Sequence, residues 1–286
     1  MRRRNLVGSH VSVAGGLARC LSRATDVGAE VVQVFLANPR AWAPPPADAD
    51  GDRHFGSSCV DNGVPVFVHA PYLINFGSPS AETLERSASA LAFSLRRGAA
   101  IGAAGVVVHA GSAVLGNERG VAMKQVREHL LPVLDAVTDG PQVLIEPTAG
   151  GGGALASDAA SLGSYLDDLG RDERVGVCLD TCHMHAAGHD LSTVTGFRRA
   201  LRAYADAAGT ARIGLVHVND SRDAVDSRRD RHASIGAGTI GLAPFAALFT
   251  SARLRGVPFV VETLDSAQAA DIASLKSLRG EFSGPS

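Results

Sequence analysis

No apolar run in this chain approaches the roughly 20 residues that span a bilayer. The opening MRRRN leads directly into a strand-like segment, without the apolar stretch of a secretory signal. These two absences lead us to expect a soluble, cytoplasmic protein with no membrane partner. Cysteine is scarce: Cys20, Cys59, Cys178 and Cys182 in 286 residues give no dense disulfide framework and suit a reducing compartment. Charge of one sign is lacking too, because 27 Lys and Arg face 29 Asp and Glu for a net charge of -2, which alone does not favour a nucleic-acid partner. Bound metal would change that balance, since three divalent ions would raise the formal charge to about +4, concentrated at one pole. The glycine run AGGGG (149–153) lacks the Lys-Ser/Thr of a phosphate-binding loop, so it reads as a flexible loop that permits close backbone approach.

What is present is a repeat of strand and helix. A chain of 286 residues at 45% hydrophobic can bury about three quarters of its unfolded surface and needs no second core. Eight short apolar or β-branched runs recur, at 6–12, 31–36, 64–70, 104–111, 142–147, 175–180, 212–218 and 257–263. Continuous apolar strands suit a parallel sheet buried on both faces, and the stretch AETLERSASALAFSLRRGAAIG between two of them has helical apolar spacing ending in Gly102. The pattern predicts an α/β fold, one (β/α)8 TIM barrel spanning 1–286 as a single domain. The segment at 47–60 shows no clear helix between the second and third strands.

In such a barrel the chemistry sits at the carboxyl ends of the strands. Here a polar residue ends its apolar run, or follows in the next loop, in strand after strand: His69, His109, Glu146, Asp180, His183, His217, Asp230, His232 and Glu262. A lone His or Glu in such a place is usually a surface or hydrogen-bonded residue, but a set repeated on so many strands is not. Five imidazoles and four carboxylates exceed what one ion needs, because catalytic zinc takes about three protein ligands and keeps one position open. Two or three clustered metals are implied, and the imidazoles favour zinc or manganese over magnesium. Cys178 and Cys182 bracket Asp180, but a single CxxxC is a weak zinc signal, and both read as packing residues. His10, His185 and His189 lie near the set in sequence and read as hydrogen-bonded neighbours. Arg222, Arg228, Arg229 and Arg231 flank Asp230 and His232 in a long polar loop, where arginine beside metal suggests phosphate binding.

At these residues the sequence resembles the endonuclease IV family of zinc-dependent abasic-site endonucleases. The specific blocks are HAPYLIN (69–75), VVHAGS (107–112), IEPTAG (145–150), GVCLDTCHMHAAGHDL (176–191), HVNDS (217–221) and RDRHASIGAG (229–238). The resemblance implies three zinc ions, with manganese an alternative at one site. The first would be held by His69, His109 and Glu146; the second by Glu146, Asp180, His217 and Glu262; the third by His183, Asp230 and His232. Glu146, Glu262, Asp180 and His109 would form the catalytic centre. It also implies a monomer that binds duplex DNA containing abasic sites, working at the nucleoid. There it would hydrolyse the phosphodiester 5′ to the lesion, leave a 3′-hydroxyl and a 5′-deoxyribose phosphate, and remove 3′-blocking groups. NPRAW (38–42) and YLIN (72–75) correspond to segments that enter the duplex, so Arg40, Tyr72, Leu73 and Asn75, with Arg229 and Arg231, are the expected DNA contacts. Removing an unpaired sugar from the stack costs less than extruding a paired base.

The physical case is independent of the resemblance. Phosphodiester hydrolysis demands accelerations up to about 10¹⁷-fold, whereas one positioned acid or base supplies about 10²–10⁴-fold. Metal pairs can supply much of the difference. A metal-dependent sugar isomerase or epimerase is the main rival, with a similar barrel and similar ligands; the third cluster and the arginine-bearing loop discriminate against it. A non-catalytic zinc protein is disfavoured because structural sites are usually closed and thiolate-rich. Two positions depart from the family pattern. Pro147 removes a backbone donor just after Glu146, and Ala237 stands where many members carry Glu.

Overall fold

Eight parallel strands close on themselves in the computed structural model, which describes residues 4–114 and 117–282. The strands are β1 (Val7–His10), β2 (Val32–Phe35), β3 (Val66–His69), β4 (Gly105–His109), β5 (Gln142–Glu146), β6 (Val175–Asp180) and β7 (Ile213–His217), then a two-stranded ribbon of β8 (Asp220–Ser221) and β9 (His232–Ala233), and finally β10 (Phe259–Val261). The helices are α1 (Ala18–Asp26), α2 (Ala49–Asp61), α3 (Ala81–Ala100), α4 (Arg119–Ala136), α5 (Ala159–Asp168), α6 (Thr181–Ala186), α7 (Val194–Ala208), α8 (Ala246–Thr250) and α9 (Asp265–Phe282). The ring runs β1-β10-β7-β6-β5-β4-β3-β2, and its seam is closed by Val7 opposite Phe259 and Ser9 opposite Val261. All eight apolar runs of the sequence are barrel strands. Residues 1–3 of the MRRRN opening lie outside the described residues.

The barrel has two apolar layers because side chains alternate along each strand. Outward residues such as Val66, Val68, Val106 and Val143 join the large cluster under the helices. Inward residues form a separate small cluster of Val31, Phe67, Val107, Leu144, Cys178, Leu215 and Val260, with Leu6 packed against it. Leu144 fills the centre: a Cβ added at Gly105, Gly176 or Gly214 would lie 2.7–2.8 Å from its methyl carbons. Cys178 is therefore a packing residue of the barrel interior.

One expectation fails. Residues 49–61 form α2, although the segment shows no helical pattern. Asp48 caps it by accepting from the Gly51 N–H, and Phe55 and Cys59 are buried beneath it. Its remaining hold is tertiary: Arg97 on α3 donates from Nε and Nη2 to the Asp52 carboxylate at 2.8–3.0 Å, and from Nη1 to the Leu36 carbonyl at 2.8 Å. At Gly56 a Cβ would meet the Ile101 carbonyl at 2.9 Å, so a small residue lets α2 lie close to the end of α3. Tertiary contacts here override weak local propensity. No helix among the described residues is long and apolar enough to cross a membrane.

Candidate metal centre and nucleic-acid interface

The parity of the strands delivers the site. Two residues beyond each inner-layer residue, the next inward position is Gln33, His69, His109, Glu146, Asp180, His217 or Glu262. The apolar layer thus forms the floor, and the candidate ligands stand on it at the carboxyl ends of six strands. His183 joins them from α6, whose first turn is capped by Asp180 Oδ1 accepting from the His183 N–H at 2.8 Å. Asp230 and His232 arrive from the loop between β8 and β9 and from β9 itself.

Ligand atoms lie within 4.8 Å of one another in each of three groups: His69, His109 and Glu146; Glu146, Asp180, His217 and Glu262; and His183, Asp230 and His232. These are the groupings that the sequence resemblance implies. Glu146 belongs to two of them, with Oε2 at 3.3 Å from His69 Nε2 and 3.5 Å from His109 Nε2, and Oε1 at 3.0 Å from His217 Nδ1. A fourth grouping, Asp180 with Cys182 and His232, brings a thiol into reach. Burial and the nearby Asp180 charge push that thiol far above its ordinary range, which makes it a poor thiolate donor.

Outer contacts fix which nitrogen of each ring faces inward. His69 Nδ1 is bonded to the Ala70 carbonyl at 2.7 Å, which leaves Nε2 for Glu146. His183 Nδ1 is bonded to the Pro147 carbonyl at 3.0 Å. Proline at this position therefore removes a donor yet retains the acceptor that orients a candidate ligand. His217 is held by Gln33, a fully buried residue whose Oε1 lies 2.8 Å from His217 Nε2 and whose Nε2 donates to Glu262 Oε1 at 2.7 Å and lies 2.9 Å from His10 Nδ1. Only an amide nitrogen toward Glu262 avoids opposing two oxygens, so the amide oxygen must accept from His217 and its Nδ1 faces the carboxylates. Asn219 Nδ2 donates to Asp180 Oδ2 at 2.7 Å, and its Oδ1 accepts from the Glu262 N–H at 2.8 Å. Imidazoles and carboxylates tied from behind in this way are typical of metal sites.

The electrostatics call for cations. Burial would raise Glu146, but His217 and His109 with the hydrogen bonds from His217 and His69 hold it well below its ordinary range. Burial raises Asp180, and Glu146 adds to that. Burial opposes charge on His183, yet Asp180, Asp230 and Glu146 hold it well above normal; His232 is likewise held at about 9 against burial by Asp230, Asp180 and Glu262. His109 is pushed down to about 4, chiefly by burial. A buried carboxylate cluster costs several kcal/mol per ion without full compensation. His183 Nε2 and His232 Nε2, both buried, sit 3.2 and 2.9 Å from the Asp230 oxygens as ion pairs, at angles that make no hydrogen bond. Imidazole nitrogens and carboxylate oxygens converging on a shared point are what a divalent ion would satisfy by displacing the imidazole protons, and the donor set fits zinc.

The mouth is divided by Tyr72, 45% exposed, whose ring stacks on His109 with centroids 5.5 Å apart and meets Phe35 and His69 edge-on. Beneath it lies a cavity of about 160 Å³ lined by His69, His109, Glu146, His183, Asp230, His232 and Glu262. On one side is a cavity of about 680 Å³ that includes His10, Asn38 and Gln268; on the other, one of about 1120 Å³ that includes Asn75, Ser112 and Gly150. The Tyr72 N–H donates to the Pro39 carbonyl at 3.0 Å, tying the loop of Arg40 to that of Tyr72 and the half-buried Leu73. Arg40 is exposed. Asn75 Oδ1 accepts from the Gly77 and Ser112 N–H groups at 3.0 Å each, so this side chain braces the wider cavity. Gly153 allows the close approach expected of its run: a Cβ there would lie 1.9 Å from the Ala113 carbonyl. Arg231 grips Asp223 with Nε and Nη2, Arg229 lies 3.7 Å from the same carboxylate, and Arg228 pairs with Asp226 at 2.6 Å. Arg222 Nε donates to the His232 carbonyl at 2.8 Å. His185 is hydrogen-bonded to the Leu191 N–H and lies 3.2 Å from Thr239 Oγ1, while His189 lies against the Tyr204 ring, outside the cluster. Ala237 is exposed on the returning loop. Sequence reading missed Gln33, Asn219 and Asp220; for Gln33 the available signal was a polar side chain at an inward position of an otherwise apolar strand, VVQVF.

Residues 21–279 match a family model described as a xylose isomerase-like TIM barrel. Solved L-ribulose 3-epimerase shares the fold, with a TM-score of 0.69 over 99% of this chain and 94% of that one at 20% identity. Endonuclease IV from Thermus thermophilus superposes better, with a TM-score of 0.84 at 31% identity over 96% of this chain and 99% of that one. A Streptomyces coelicolor protein named probable endonuclease 4 is 52% identical over 281 residues, 96% of either chain. That degree of identity along nearly the whole length of both sequences places the chain in the endonuclease IV family.

Proposed function

We infer that this protein is an apurinic/apyrimidinic-site endonuclease of DNA repair that hydrolyses the phosphodiester 5′ to an abasic site in duplex DNA, leaving a 3′-hydroxyl and a 5′-deoxyribose phosphate. The observation that carries this reading is the convergence of three ligand groups on one small cavity, with Glu146 shared between two of them. His69, His109 and Glu146 would hold a first zinc; Glu146, Asp180, His217 and Glu262 a second; His183, Asp230 and His232 a third, with manganese an alternative at one site. Bound divalent ions supply Lewis-acid charge to the phosphate and bring the pKa of a water toward neutrality.

The chain's own groups do the rest. Glu146, Glu262, Asp180 and His109 would hold the compensating cations in fixed places against the reacting phosphate, which avoids reorganisation during the reaction. Tyr72 stands at the lip between the two large cavities, and it and the adjacent Leu73 would fill the gap left by a displaced abasic sugar. Arg40 reaches the same duplex from the neighbouring loop. Arg229 and Arg231 face the backbone from the ribbon side, and Asn75 shapes the wider cavity. One endonuclease domain spans 1–286 and acts as a monomer at the nucleoid. Removal of 3′-blocking groups draws on the same cluster, since it breaks the same kind of bond.

The test is gel analysis on a duplex with one synthetic abasic site, beside an undamaged duplex and a chelator-treated sample. Incision 5′ to the lesion, lost on prolonged chelation, supports the reading. Folded, zinc-loaded protein that leaves the abasic duplex intact but epimerises a ketose would overturn it in favour of sugar chemistry.

A further inference from the structure

Asp220 belongs to none of the ligand groups, yet it is fully buried and its carboxylate accepts five backbone N–H groups. Oδ1 accepts from Ser221 at 2.7 Å and Ile240 at 2.9 Å; Oδ2 accepts from Gly236 at 3.0 Å and from Gly238 and Gly241 at 3.1 Å each. Residues 236–241 therefore wrap around a single side chain, as a backbone nest wraps a bound anion. The glycines are what the wrap requires. Gly236 and Gly241 have φ of +83° and +79°, and a Cβ on Gly238 would lie 2.4 Å from Asp220 Oδ1 and 2.3 Å from the Ser221 carbonyl.

The wrapped segment is the return arm of the loop that carries Asp230 and His232. Its near end is the β8–β9 ribbon, which sets Asp220 opposite Ala233 and Ser221 opposite His232. Between the ribbon and the wrap the backbone is pinned again by Asp271 of α9, which accepts from the Ile235 N–H at 2.9 Å and from the Thr263 hydroxyl at 2.6 Å. Asp230 and His232 stand on no barrel strand, so neither has the positional control that the ring gives to His69, His109, Glu146, Asp180, His217 and Glu262. Hydrogen bonds to an ionised acceptor are roughly twice as strong as neutral ones, so five of them on one carboxylate fix a loop firmly.

We propose that Asp220 is the positioning residue of the third cluster: by gathering residues 236–241 around its carboxylate, it holds Asp230 and His232 against His183 and so determines whether the site takes a third divalent cation. This rests on the metal-centre reading above. An asparagine at 220 would turn its NH₂ toward at least two N–H groups that now meet an oxygen, whichever way it is oriented.

The experiment compares the unsubstituted protein with Asp220→Asn and Gly238→Ala. Amide hydrogen exchange is followed on the metal-free forms, and zinc content is measured by mass spectrometry after dialysis against buffered zinc. The expected result is faster exchange confined to 236–241, with the barrel strands still protected. Zinc content should fall by one ion per chain, regained at about 10–100-fold higher free zinc, the range for losing support behind a ligand. Either variant retaining all its zinc with unchanged exchange overturns the proposal. So does joint loss of strand protection and all zinc in both variants, since Asp220 would then serve the fold at large. The metal-centre reading is judged separately, on the zinc content of the unsubstituted protein.

Discussion

Replacing Gln33 by methionine tests whether the barrel interior controls the metal centre through outer contacts alone. Methionine fills nearly the same volume, so no cavity opens, but the hydrogen bonds to His217 and Glu262 at 2.8 and 2.7 Å are lost. His217 is completely buried, and an orphaned buried donor costs about 1–3 kcal/mol. Glu262 keeps His10 at 3.4 Å and so loses less. Metal-free Gln33→Met should therefore melt several degrees lower, at about 2–4 °C per kcal/mol for chains of this size class. Freed from Gln33, His217 can rotate or present the wrong nitrogen, and zinc affinity at Glu146, Asp180, His217 and Glu262 should fall about 10–100-fold. Thermal denaturation of the metal-free form and competition against a zinc-binding dye measure the two effects separately. If stability falls as calculated while every zinc binds within twofold of the parent, Gln33 is only a core hydrogen bond and the orienting argument is wrong.

Arg97→Met leaves Asp52 buried and unpaired and should cost about 3–5 kcal/mol in denaturant unfolding, whereas adding Asp52→Leu should recover most of it because no buried charge then remains. In Gly153→Ala the new methyl group collides with the Ala113 carbonyl, so the cavity wall must shift; kcat/KM for an abasic duplex should fall by up to about 100-fold, the cost of a displacement near 1 Å, with zinc content unchanged. In the metal-free protein His232 is held at about 9, above its usual value near 6.5, so its stabilisation is fully present below about 6.5 and lost as pH rises through about 9. Zinc competes with that proton. Calorimetry in buffers of different ionisation enthalpy should show proton release on binding at neutral pH, and apparent affinity that climbs with pH up to about 9.

The parts of the molecule that repeat were legible in the sequence. Eight apolar runs declared eight strands, and a polar residue closing six of them declared where the candidate site lies, because burial on both faces and inward parity leave strong one-dimensional patterns. What stayed hidden was held by contacts across the sequence. Helix α2 owes its stability to Arg97 and to Phe55 and Cys59 packing, so its own periodicity is weak. Gln33 and Asp220 look like an interruption in a strand and a surface acid, and only the closed ring shows one gripping His217 and the other gathering a loop of glycines. The loop arginines read as phosphate-binding groups, yet Arg228 and Arg231 already have acidic partners within the loop. The Asn75 side chain is likewise engaged, tying its own loop to that of Ser112.

The ligand ring also bears on how the chain is made. Its members come from six strands, and the last, Glu262, follows β10, whose neighbours in the ring are β1 and β7. A ribosome must therefore deliver the chain through Glu262 before the full ligand set can assemble. Until Glu262 has emerged, the nascent protein lacks a complete set of candidate ligands with which to capture the wrong ion.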